Sequence, residues 1–71
     1  MTIVTIETRL DARDVRAVRD FLQALADGTE LPWATSRQGA ARQRCRRNGW
    51  ATCSGRRWEI TEAGRDWLKE L

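Results

Sequence analysis

The chain of 71 residues contains no histidine, and its two cysteines, Cys45 and Cys53, do not form a CxxC pair. These absences remove the usual imidazole base, the Ser-His and Cys-His nucleophile pairs, and any strong zinc-site pattern. No glycine-rich phosphate loop is present. The first-helix acids Asp14 and Asp20 have no metal or base partner spacing and read as solvated carboxylates. The expectation is a protein without catalytic residues, metal or cofactor. No apolar run approaches the roughly 18 residues a membrane span needs, and the N-terminus lacks the basic-then-apolar layout of a signal peptide. A cytoplasmic protein with no membrane partner is expected. There Cys45 should be reduced and buried, and a disulfide is disfavoured.

Acidic residues are missing from one stretch altogether. Between Leu31 and Trp58 stand seven arginines, Arg37, Arg42, Arg44, Arg46, Arg47, Arg56 and Arg57, and no aspartate or glutamate. The remainder carries all ten acids against six basic residues, so a formal total of +3 hides a central block of +7. A block of one sign cannot be neutralised by its sequence neighbours. It has the electrostatic character of a surface that meets phosphate, although a solvated helix face also accommodates such charge.

The size fits a single domain over 1–71 with one small core. Thr2 to Thr8, TIVTIET, is β-branched and reads as a short strand. Leu10 to Ala26 reads as a helix: Asp11 is suited to cap it, with Leu10 and Val15 at the flanking staple positions. Val15, Val18, Phe21, Leu22 and Leu25 recur on one stripe, and Gly28 ends the run. Arg13, Arg16, Arg19, Asp20 and Gln23 fill its wet face. A connector with Pro32 follows, with room for one short helical turn. Leu31 and Trp33 are expected to tuck back into the core, the alternative for Trp33 being an interface.

Thr35 or Ser36 caps a second helix to about Arg47, and Thr35 with Gln38 has capping-box spacing. Gln38, Ala41, Cys45 and Asn48 form its packed side. Ser36, Gly39, Arg42, Gln43 and Arg46 form the outer side, with Arg47 on its flank; Arg37 and Arg44 border the packed side. Trp50 to Cys53, a turn at Ser54-Gly55, and Arg56 to Ile60 read as a hairpin in which Trp58 and Ile60 face inward. Thr61 caps a last helix to Leu71, with Trp67, Leu68 and Leu71 inward and Gly64 permitting close approach.

From Ser36 onward the chain resembles the second half of a winged helix-turn-helix domain. The residues that carry the resemblance are CRRNGW (Cys45–Trp50), the short hairpin, and RRWEITEAGRDWL (Arg56–Leu68). It covers about half the chain. It implies an α+β fold, a small winged helix with about three helices, a β-hairpin wing and the short N-terminal strand. It further implies that Ser36 to Arg47 is a helix lying in the DNA major groove and that Ser54 to Arg57 is a wing tip touching backbone or minor groove. The chain departs from the pattern before Ser36, where Gly28 to Ala34 leaves little room for the helix that normally precedes the recognition helix.

On this basis the expected partner is double-stranded DNA. Arg42 or Arg46 would read guanine and Gln43 adenine, with Gly39 allowing close approach and Ser36 donating to phosphate. Arg37, Arg44, Arg47, Arg56 and Arg57 would contact phosphate or minor groove. A homodimer reading two half-sites is expected of so small a module. An acidic protein partner on the same surface is the alternative. RNA is disfavoured because the aromatics read as buried.

Overall fold

The computed structural model describes residues 11–70. The expected strand at Thr2 to Thr8, the Leu10 staple and Leu71 lie outside the described residues. The elements run α1 (Ala12–Asp27), α2 (Ser36–Arg47), β1 (Ala51–Ser54), β2 (Arg57–Ile60) and α3 (Glu62–Lys69). Among the described residues, three helices and one antiparallel hairpin make an α+β fold with a small winged-helix-like layout. No helix among the described residues is long and apolar enough to cross a membrane.

Each helix starts on a side-chain cap. Asp11 accepts from the Asp14 amide at 2.9 Å, Thr35 from Gln38 at 3.1 Å and Thr61 from Gly64 at 3.1 Å. The Asp14 amide holds the Asp11 carboxyl below its ordinary range. The expected capping box of α2 is half made. Gln38 does not return to Thr35; its amide instead donates to the Ala17 carbonyl of α1 at 2.9 Å. A buried amide is costly unless bonded, and the α1 backbone offers Gln38 an acceptor inside the fold.

α1 and α2 end alike. Thr29 donates to Ala24 O at 3.0 Å and Trp50 to Cys45 O at 2.9 Å, with Gly28 and Gly49 in the left-handed region between. These six-to-one bonds satisfy carbonyls that a helix end leaves open. Asn48, expected on the packed side of α2, is instead its exposed C-cap, bonded to Arg44 O at 2.8 Å.

The core is centred on Val18, Phe21, Leu22 and Cys45, all fully buried, with Ala17, Ala41 and Ala51 beside them. Trp58 meets Phe21 edge to face at 5.1 Å between ring centres, and Trp50 stacks on Trp67 at 5.0 Å. Leu25, Leu31, Ile60 and Leu68 close the cluster from outside. Three of the four tryptophans are therefore packed as expected. Burial lifts the Cys45 thiol from the ordinary 9.0 up to about 12, against a smaller opposing pull from Arg44. The unfolded thiol ionises near 9.0 and the folded one near 12, so the stability it confers is lost as pH rises across that window. At pH 8 a thiol reagent is expected to modify one cysteine of the folded chain, the half-buried Cys53, and a second only after denaturation. Two fast-reacting thiols would contradict the burial of Cys45.

The hairpin pairs Ala51 with Ile60, Thr52 with Glu59, Cys53 with Trp58 and Ser54 with Arg57. Its turn is Gly55-Arg56, one residue later than the sequence suggests. Gly55 has φ +64° and no non-glycine described residue has positive φ. That is the pattern of a type II′ turn, which needs glycine at its first central position. Trp58 and Ile60 are half-buried while Arg57 and Glu59 face water.

The base of the hairpin is tied at one point. Trp50 O accepts from the Thr61 amide at 3.0 Å, and the Thr61 hydroxyl donates to Gly49 O at 2.6 Å while capping α3. Gly64, in the first turn of α3, lies directly against the Trp50 carbonyl of this knot. The end of α2, the root of the wing and the start of α3 thus share one hydrogen-bonded cluster.

Candidate nucleic-acid interface

Twelve residues of α2 carry five arginines and no acid. Three of them, Arg44, Arg46 and Arg47, sit in the last turn, where positive charge suits the negative end of the helix dipole. Burial then sorts the helix into two sides. Gln38, Ala41 and Cys45 face the core. Ser36, Gly39, Ala40, Gln43, Arg46 and Arg47 are exposed. Within the exposed set, Ser36, Ala40, Gln43 and Arg47 follow each other by four, three and four residues and therefore line one stripe. Arg47 is central to this face rather than on its flank. Ala40, not singled out from the sequence, shares it; its spacing from Ser36 was the available signal. Gly39 is open, with nothing within 4 Å of where a Cβ would stand.

Arg42 is not part of the outer face. It is half-buried; its Nε donates to Gln38 Oε1 at 3.3 Å and its Nη2 to the Pro32 carbonyl at 2.9 Å. Its guanidinium lies 5.2 Å from the centre of the Phe21 ring. The aromatic face and an otherwise open carbonyl in the connector draw it inward. An arginine so engaged is a fastener between α2, α1 and the connector. Arg42→Ala is expected to cost about 2 kcal/mol of stability, and Arg42→Lys to recover less than half of it, since lysine lacks the fork that reaches both oxygens. Urea titration of the two variants checks this; an Arg42→Ala chain as stable as the parent would contradict the inward placement.

Arg37 is also engaged. Its Nη1 lies 2.5 Å from Asp14 Oδ1 and 3.8 Å from Asp11 Oδ1. Arg44 is half-buried, at the border of the packed side. Arg44, Arg46, Arg47 and Arg56 make no ion pair among the described residues, and Arg57 only a loose, exposed one with Glu59 at 3.7 Å. Arg56 occupies the hairpin turn itself, and the strands behind it are only four residues long. The seven arginines of the acid-free block therefore divide. Arg37 and Arg42 are held between elements of the fold, Arg57 has only its exposed neighbour Glu59, and Arg44, Arg46, Arg47 and Arg56 make no ion pair among the described residues.

The connector departs from the expected layout. Residues 29–35 contain no helical turn; the Thr35 amide bonds Trp33 O at 2.9 Å, a tight local turn that aims the intervening chain outward. Trp33, expected in the core, is 89% exposed. No protein-family model, curated protein or solved structure matches this chain.

Proposed function

We propose that this protein binds double-stranded DNA through the outer stripe of α2 and the tip of the hairpin, as a transcriptional regulator or a phage-type accessory factor. The observation that carries this reading is the set of arginines Arg44, Arg46, Arg47, Arg56 and Arg57, on one helix and the turn of the hairpin that follows it, of which Arg57 alone meets an acid among the described residues, the exposed Glu59 at 3.7 Å. Cations placed this way suit release of condensed counterions from a duplex. A major groove admits one α-helix. Ser36, Gly39 and Ala40 are small, so the backbone of α2 can approach base edges closely while Gln43, Arg46 and Arg47 reach them. Ser36 and the start of α2 can donate to a phosphate. Arg56 and Arg57 suit backbone or minor-groove contact. A single module of this kind buries roughly 600–1,000 Å², so a homodimer on two half-sites is the reading that gives useful affinity.

Selection from a random duplex library on the purified chain, repeated on two variants, tests it. Arg56→Ala is expected to weaken binding evenly across sequences. Arg46→Ala is expected to weaken it and also relax the preference at one position, by about 1–3 kcal/mol against the wrong base. If the parent retains no duplex at moderate salt, the arginine face serves an acidic protein instead.

A further inference from the structure

Trp33 is the one large apolar side chain exposed among the described residues, and the interface above makes no use of it. Beside it lies a hollow of about 370 Å³ between α1 and the connector. Its lining is mostly apolar surface and includes Arg13, Arg16, Ala17 and Asp20 of α1 and Pro32 and Trp33 of the connector. Arg13 and Arg16 make no ion pair among the described residues, whereas Asp20 is met by Arg19 at 3.5 Å. The hollow thus combines a mostly apolar lining with two arginines that have no acidic partner among the described residues. Its volume suits one or two large side chains.

The hollow is turned away from the stripe on α2. The residues that α2 contributes to it, Arg37 and Gln38, stand about 100° and 200° around the helix from Ser36. A duplex lying on the stripe presents phosphates and groove edges and has no projecting apolar group to fill a mostly apolar hollow. A peptide side chain does. Tryptophan and arginine together form the kind of pocket in which binding energy concentrates.

We propose that this hollow is a docking site for a short acidic segment of another protein, with one large apolar side chain seated against Trp33 and Ala17 and its carboxylates beside Arg13 and Arg16. The site does not depend on duplex binding; combined with that reading, it makes the chain a bridge between DNA and a protein partner. The test is selection of a random dodecapeptide library on the immobilised full chain, with counter-selection on Trp33→Ala. Enriched peptides are expected to be net negative with one large apolar residue. A synthetic copy should bind the parent at least tenfold more tightly than it binds Trp33→Ala or Arg16→Glu. Trp33→Ala should keep the parental melting temperature and duplex affinity within twofold. Enrichment of neutral or basic peptides, or none above counter-selection, overturns the proposal. So does self-association that Trp33→Ala abolishes, which would make a second copy the occupant, or loss of duplex affinity without peptide binding, which would assign the hollow to the DNA surface.

Discussion

Gly64→Ala is expected to destabilise the fold by about 3 kcal/mol or more. The added methyl would fall inside van der Waals contact of the Trp50 carbonyl oxygen and 2.9 Å from Ile60 Cγ1. The first neighbour is backbone, so it cannot rotate aside. Moving it would strain the bond it accepts from the Thr61 amide at 3.0 Å and, with it, the cap of α3. A domain of 71 residues has a total stability of roughly 4–10 kcal/mol, so the loss is a large fraction of the whole. The melting temperature should fall by roughly 15 °C, at about 4–8 °C per kcal/mol for a domain of this size. Ala63→Gly, on the exposed neighbour, is the control and should cost only about 1 kcal/mol through helix propensity. Thermal unfolding followed by circular dichroism decides between the two. A Gly64→Ala melt within a few degrees of the parent would mean that α3 and the root of the hairpin are not in close approach.

Salt dependence is expected to separate the arginines that serve the surface from those that serve the fold. If Arg44, Arg46, Arg47, Arg56 and Arg57 each neutralise one phosphate, the logarithm of the duplex association constant should fall against the logarithm of salt with a slope of about −4.5. Between about 50 and about 200 mM salt this is a loss of roughly 500-fold. If Arg37 and Arg42 also reach phosphates, the slope steepens to about −6.3. Binding isotherms by fluorescence anisotropy over that range distinguish the two values. A slope near −4.5 agrees with Arg37 being held by Asp14 and Arg42 by Pro32. A flat response would remove the electrostatic basis of the proposal altogether.

Most of the fold was legible because its signals are local. Asp11, Thr35 and Thr61 announce the three helix starts, Gly28 and Gly49 the ends of the two longer ones, and Trp58 and Ile60 the inner face of the hairpin. Where the reading failed, the deciding partners were distant in sequence. Arg42 sits at the border of the helical wheel. The Phe21 ring and the Pro32 carbonyl settle its direction, and neither is visible from α2 alone. Gln38 looked like half of a capping box until α1 supplied the Ala17 carbonyl. Trp33 has the character of a core residue, but it stands in the connector just before the local turn at Thr35 and lies outside the core. The sequence divides the charge block between helix and hairpin tip but assigns all seven arginines to the partner surface; the pairing of Arg37 with Asp14 depends on how α1 and α2 pack, which no pattern within either helix encodes.

The division of α2 into two sides has a consequence for how this protein can change. Gln38, Ala41, Arg42 and Cys45 fix the helix to the rest of the chain, while Ser36, Ala40, Gln43 and Arg47 are exposed and make no side-chain hydrogen bond or ion pair among the described residues. The two sets alternate along the same twelve residues yet answer to different constraints. The first can drift only with compensation in α1 or the connector. The second is free to be rewritten one position at a time, so a lineage, or a designer, can exchange what the helix recognises without having to solve the folding problem again.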